Sequence, residues 1–246
     1  MPLDNEGRLS HETTERVYRR WVPGREGDGN TMKLLLSSGS LVHTAGLITA
    51  LHALLQPRPG PWRICHIITA SLAGRPAADR SWATEPWVAG EERQLKAHGF
   101  LCQSLDLVGW SKLALAEHLA GFDVLYVQGG NTFHLLDQMR RSGADRIIRE
   151  LVAGHDTVYC GVSAGSIVAG PAIGVAGWSP DWDRNEVGLT DLTGLRLVPF
   201  ILSPHYVPED AGLIAARLPL PHPILALRDG QAWVVDGDDQ RLINPG

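Results

Sequence analysis

Cysteine is scarce. The 246 residues hold three, Cys65, Cys102 and Cys160, far apart and without a CxxC spacing. An odd, scattered set argues against a disulfide framework and for a reducing cytoplasm; all three fall in apolar runs and read as small buried hydrophobes. No apolar run approaches the ~20 residues that a membrane-spanning helix needs. No Lys/Arg-rich run occurs and the formal net charge is -5, which argues against nucleic acid and anionic membranes as partners. There is no HExxH and no Cys/His cluster, so no metal site is expected; there is no GxGxxG and no GxxxxGK[ST], so no phosphate cradle is expected either. No cofactor is called for. Internal repeats, low-complexity segments and interdomain linkers are missing as well. What remains is an ordinary globular composition, 44% hydrophobic and 20% charged, with enough chain for one large core.

Residues 1–31 differ from the rest. They are charge-rich, poor in apolar residues and broken near their end by Pro23, Gly24, Gly27 and Gly29. This stretch is expected to be a poorly ordered extension, and with no apolar h-region it is not a signal peptide. A single α/β domain is expected over 32–246. From Met32 strand-like and helix-like runs alternate: strands at Lys33–Ser38, Trp62–Thr69, Phe100–Leu107, Phe122–Gln128 and Thr157–Val162, with helices at Leu41–Leu55, Gly90–His98, Ser111–Leu119, Thr132–Arg141 and Ala144–Val152. Apolar strands separated by helices imply a parallel sheet covered on both faces, with the ligand site beyond the strands' carboxyl ends. Ala73–Ala89 and Gly174–Thr193 lack regular pattern and read as long loops, which are commonly functional. Leu195–Leu202 reads as a strand. Asp229-Gly230, between Ile224–Arg228 and Gln231–Val235, predicts a hairpin at an antiparallel edge.

The stretch around which the rest is arranged is Thr157–Ser166. An apolar run ends abruptly in Gly161-Val162-Ser163-Ala164-Gly165, followed by a small-residue helical run. That is the layout of a nucleophile elbow, a serine on a sharp strand-to-helix turn whose small neighbours let the chain turn without clashing. A glycine-rich βα turn of any doubly wound sheet has the same look. A serine nucleophile needs a base and an orienting acid. Of the ten histidines, His205 stands apart, closing an apolar run directly after Pro204. The acid is expected in the irregular loop between Ser163 and His205, which offers Asp181, Asp183, Glu186 and Asp191. Gly129-Gly130-Asn131 directly follows an apolar run. It supplies a backbone N–H that can complete an oxyanion hole with the N–H of Ala164, or a βα turn with Asn131 as the cap of the next helix; both readings can hold together.

Three segments in the same order resemble a known family. Tyr126-Val127-Gln128-Gly129-Gly130-Asn131-Thr132-Phe133-His134-Leu135-Leu136, Gly161-Val162-Ser163-Ala164-Gly165-Ser166, and Gly194-Leu195-Arg196-Leu197-Val198 followed by Ser203-Pro204-His205-Tyr206 are similar to serine peptidases of family S51, which includes dipeptidase E and cyanophycinase. The resemblance runs from about Met32 to Val235. It implies a flavodoxin-like, doubly wound, mostly parallel sheet related to class I glutamine amidotransferases, and a Ser-His-acid triad. Carried over by motif, Ser163 is the nucleophile, His205 the base, and Gly130 and Ala164 the oxyanion donors. Counting back from the Pro-His-Tyr motif places the acid on Asp183, with Asp181 as the alternative. The segment Ser179-Pro180-Asp181-Trp182-Asp183-Arg184-Asn185 departs from the family pattern, so an aspartyl preference does not carry over. Asn131 and Arg184 are substrate-binding candidates, and Arg75 and Arg80 are further cations near the strand ends. The expected activity is cytoplasmic hydrolysis of short peptides through an acyl-enzyme. The alternatives are a cyanophycinase-like, esterase or amidase use of the same machinery, or a binding relative without turnover. A homodimer is left open.

Overall fold

The computed structural model describes residues 32–44, 46–76, 79, 81–154 and 156–244; the expected extension over 1–31, and Arg80, lie outside the described residues. Nine strands alternate with seven α-helices among these residues. The strands are β1 (Lys33–Ser37), β2 (Trp62–Ile67), β3 (Phe100–Leu105), β4 (Val124–Val127), β5 (Val158–Val162), β6 (Ile201–Ser203), β7 (Ile224–Ala226), β8 (Ala232–Asp236) and β9 (Asp239–Ile243). The helices are α1 (Leu47–Leu55), α2 (Pro86–Ala97), α3 (Lys112–Leu119), α4 (Thr132–Ser142), α5 (Ala144–Gly154), α6 (Ala164–Ala169) and α7 (Ala211–Ala215). Seven strands form one sheet in the order β3-β2-β4-β5-β1-β8-β9, and β6 and β7 form a second, two-stranded parallel sheet. The first five strands of the large sheet are parallel, while β8 runs antiparallel to β1 and β9 antiparallel to β8.

The continuous apolar strands are buried on both faces because helices cover both. Leu35, Val158, Cys160 and Val234 pack on one side with Leu47, Leu51 and Leu54 of α1. Leu34, Leu36, Tyr159 and Val235 pack on the other with Leu135, Leu136 and Met139 of α4 and Ile147, Ile148 and Leu151 of α5. Successive side chains of a strand point to opposite faces, so one apolar run feeds both layers. The helix α4 starts where the sequence predicts. Asn131 caps it, its Oδ1 accepting the N–H of His134 at 2.8 Å, and Gly143 ends it in the left-handed region.

Several boundaries differ from the sequence reading. The helix expected over Leu41–Leu55 begins at Leu47, because Gly46 at φ 83 breaks the helical path. The loop expected over Ala73–Ala89 holds a 3-10 turn at Ser81–Thr84 and the first residues of α2. Leu195–Leu202 is strand only at its end. The N–H groups of Leu195 and Leu197 turn instead to the carbonyls of Val168 and Ala169 at the end of α6, at 2.7 and 2.8 Å. Asp229-Gly230 is not a hairpin turn. The run before it, β7, pairs in parallel with β6, and the run after it, β8, inserts beside β1; the antiparallel edge hairpin lies one turn later, between β8 and β9.

The sheet also holds a buried imidazole. His66 of β2 is fully buried, with Nε2 2.9 Å from Gln128 Oε1 and Nδ1 3.1 Å from Ser104 Oγ, and its ring stacks on Tyr126. Burial disfavours the charged ring and pulls its pKa down to about 4. The unfolded chain therefore takes up this proton first, near pH 6.5, and stability must fall as pH drops from there towards about 4. The full effect is on the order of 3 kcal/mol. Urea unfolding of wild type and His66→Gln between pH 7 and 4.5 checks this: the variant should lose less stability over that range, and equal losses would remove His66 from the explanation.

Candidate active site

The elbow forms as its glycines require. Ser163 has φ 50 and ψ -110, an unusual backbone for a residue with a Cβ, and it joins β5 to α6. A Cβ on Gly165 would lie 2.0 Å from the Val127 carbonyl oxygen, so only glycine lets α6 approach β4 this closely. The Ser163 N–H donates to the Ser37 carbonyl at 3.0 Å, and Ser166 Oγ lies 2.8 Å from the carbonyl oxygens of both Ser37 and Gly161. These bonds tie the turn to the carboxyl end of β1. Strained backbone of this kind is kept only where its surroundings over-determine it, and such residues cluster at working sites.

The structure brings Ser163 and His205 together. Ser163 Oγ lies 2.9 Å from His205 Nε2, and His205, like Ser163, has positive φ (57). The carboxylate on the far side of the imidazole is Asp229, whose Oδ1 lies 2.6 Å from His205 Nδ1. A carboxylate only accepts, so Nδ1 carries the proton and Nε2 is left to accept from the serine hydroxyl. Ser38 braces both partners, its Oγ donating to Asp229 Oδ1 at 2.9 Å and accepting the His205 N–H at 2.8 Å. Register explains the meeting. Ser203 of β6 sits opposite Ala226 of β7 in a parallel pair, so the chain leaving β6 delivers His205 beside the turn that carries Asp229. That turn is held in place by the Gln231 carbonyl, which accepts the Ser38 N–H at 3.0 Å.

Asp183, expected as the acid, lies elsewhere. Its Oδ2 accepts the N–H of Thr132 at 2.7 Å, at the part-buried N-terminal turn of α4. Asp181 is exposed, and neither aspartate is bonded to His205. The loop between Ser163 and His205 does not reach the imidazole; the parallel β6–β7 pairing instead brings a carboxylate that follows His205 in the chain. Ser38 and Asp229 were missed. The signal for Asp229 was the Asp-Gly pair itself, read as a hairpin turn; for Ser38 it was the polar end of β1.

Two amide N–H groups flank the serine. Those of Gly130 and Ala164 donate to no acceptor among the described residues. A Cβ placed on Gly129 would lie 3.1 Å from Ser163 Cβ, so the Gly129–Gly130 turn runs directly against the Ser163 side chain. Donors so placed can hold negative charge that develops on a carbonyl oxygen attacked by Ser163. Asn131 is occupied twice, as the cap of α4 and through Nδ2, which donates to the Arg184 carbonyl at 3.0 Å. The cleft before Ser163 has a volume of about 160 Å³, and its walls include Ile167, Val175, Ala176, Trp182, Thr132 and Asp183. Among the described residues no Lys or Arg lines it. Arg184 lies along a neighbouring hollow with Phe133 and Leu192, and Arg75 pairs with Glu85 at 2.8 Å. Among the described residues no three His, Cys, Asp or Glu side chains converge to hold a metal ion, and no helix is long and apolar enough to cross a membrane.

The family model for peptidase family S51 matches residues 34–243. The chain belongs to this family. An uncharacterised peptidase of Listeria monocytogenes is 36% identical over 120 residues, 49% of this chain and 58% of that protein. An uncharacterised peptidase of Pasteurella multocida is 30% identical over 141 residues, 57% of this chain and 67% of that protein. A peptidase E of Shewanella amazonensis is 33% identical over 132 residues, 49% of this chain and 54% of that protein. The chain thus spans little more than half the length of the first and third of these relatives. A crystal structure from Listeria monocytogenes, provisionally assigned to peptidase E, aligns at TM-score 0.69 with 25% identity, covering 87% of this chain and 99% of that one. The S51 match encloses Ser163, His205 and Asp229.

Proposed function

We propose that this S51 protein is a serine peptidase that cleaves short peptides carrying a free amino terminus. The observation that supports it best is the chain of hydrogen bonds from Ser163 through His205 to Asp229, beside two uncommitted N–H groups. In this reading Ser163 Oγ attacks the scissile carbonyl and its proton passes to His205 Nε2. Asp229 holds Nδ1–H and stabilises the imidazolium; Gly130 and Ala164 N–H stabilise the oxyanion. Collapse of the tetrahedral intermediate breaks the C–N bond, and the Nε2 proton leaves with the amine. Water, activated by the same imidazole, then hydrolyses the acyl-enzyme. Asp183 takes a different part from the one the sequence suggested. Its carboxylate lines the cleft and has no ion-pair partner among the described residues, so the ammonium of a free peptide supplies the missing charge. The apolar walls, with no cation among the described lining residues, favour a small apolar first side chain over an acidic one.

A fluorophosphonate should therefore label Ser163, and a dipeptide with a small apolar first residue should be cleaved faster than its N-acetylated form. A hydrogen bond to a charged group contributes ~1.5–3 kcal/mol, so Asp183→Asn should lower kcat/KM for the free peptide by roughly 10–100-fold. The acetylated peptide should be nearly unaffected. Equal losses on both would mean that Asp183 serves α4 and reads no ammonium; no label on Ser163 would sink the peptidase reading itself.

A further inference from the structure

Gly130 lies between two peptide groups that are both fastened to one short segment, the 3-10 turn Thr69–Leu72. On one side the hydroxyl of Ser71 donates to the Gly129 carbonyl at 2.6 Å. On the other the Asn131 N–H donates to the Ala70 carbonyl at 2.9 Å. Contact is so close that a Cβ on Gly130, which has φ 133, would lie 2.3 Å from the Ala70 carbonyl carbon and oxygen. The turn is itself anchored below. Thr69 Oγ1 donates to Asp106 Oδ1 at 3.0 Å and accepts the Leu107 N–H at 2.8 Å, all in buried surroundings.

We propose that Ser71 is a positioning residue for the oxyanion hole, setting the direction of the Gly130 N–H through the Gly129 carbonyl. The proposal rests on the peptidase reading above. The Gly129 carbonyl and the Gly130 N–H belong to one planar trans peptide and point in opposite directions. Whatever holds the carbonyl towards Ser71 therefore aims the N–H the other way. Glycines on both sides of that peptide leave its rotation nearly free of steric cost, since each tolerates either sign of φ. A flipped peptide would present a carbonyl oxygen where the N–H belongs and would repel the oxyanion. No side chain of either glycine can prevent this; the Ser71 hydroxyl is the group that selects the orientation. Accepting a hydrogen bond at the carbonyl also polarises the N–H of the same peptide and strengthens it as a donor. Ser71 lies at the surface, so its loss costs the core nothing.

The test is the split between ground-state and transition-state binding. Loss of one oxyanion donor costs roughly 10²–10³ in kcat, and mis-setting it should cost part of that, roughly 10–100-fold. Ser71→Ala should therefore lower kcat by about that factor with KM within about twofold. The affinity for a peptide aldehyde, whose adduct with Ser163 carries the oxyanion, should fall in the same proportion. Binding of the unreactive cleavage product should not change. Ser71→Thr, which keeps the hydroxyl, should recover most of the rate. Wild-type kcat in Ser71→Ala, or equal weakening of aldehyde and product, would overturn the proposal. If wild type itself takes no fluorophosphonate on Ser163, it is the peptidase reading that fails.

Discussion

Ser163→Ala is expected to lower kcat by roughly 10⁴–10⁶ and to leave the fold intact, because members of such a triad act as a unit. No neighbouring hydroxyl can take over. Ser38 is bonded to Asp229 and His205, and Ser166 to the carbonyls of Ser37 and Gly161. Alanine carries the same Cβ as serine, so the positive φ at this position costs the two residues about equally. The variant loses one part-exposed hydrogen bond, on the order of 1 kcal/mol, which shifts the melting temperature of a protein this size by about 2–4 °C. Steady-state kinetics on a short peptide and a thermal melt measure the two sides. Turnover near wild type in the folded variant would remove Ser163 as nucleophile.

Asp229→Asn should cost roughly 10²–10⁴ in kcat. The amide can donate as well as accept, so it permits the tautomer with Nδ1 unprotonated, and Nε2 then carries a proton and cannot act as base. The range is wide because the side chain of Asp229 is 74% exposed and that of His205 53%, so water can replace part of what the carboxylate does. Ser38 holds the imidazole's own backbone in either case, so the geometry should survive the change. The comparison with Asp183→Asn decides between the two carboxylates. Asp183→Asn keeps an oxygen that can accept the Thr132 N–H, and its loss should appear in the discrimination between free and acetylated peptides. If Asp183→Asn instead abolishes turnover on both substrates while Asp229→Asn keeps it, the loop between Ser163 and His205 supplies the catalytic acid and Asp229 only props the histidine.

The elements legible in the chain were those whose cause is local. A run such as Val124–Val127 between polar ends, or Asn131 and Gly143 at the two ends of α4, fixes its own structure within a dozen residues. The elbow's turn belongs here too: glycine at 161 and 165 around a serine marks a sharp strand-to-helix turn, while the choice of Ser163 over an ordinary βα turn rested on the S51 resemblance. His205 stood apart as the polar residue closing an apolar run, but pattern alone left it one candidate among ten histidines, and the S51 resemblance is what pointed to it as the base. What the neighbourhood along the chain could not decide was partnership. Asp229-Gly230 is a good hairpin turn by every local measure, and it carries the carboxylate beside His205 because β7 pairs in parallel with β6 and β8 departs to β1. Asp183 and Asp229 are both loop aspartates within 24 positions of His205, and nothing in either segment ranks them. Likewise Ser38 and Ser71 are ordinary polar residues after apolar runs until the sheet order sets β1 against β5 and the turn after β2 against Gly130. Backbone propensities and apolar periodicity act over a few residues and are written in the sequence. Strand order and register come from the packing of the whole core, and they decide which distant oxygen meets which nitrogen.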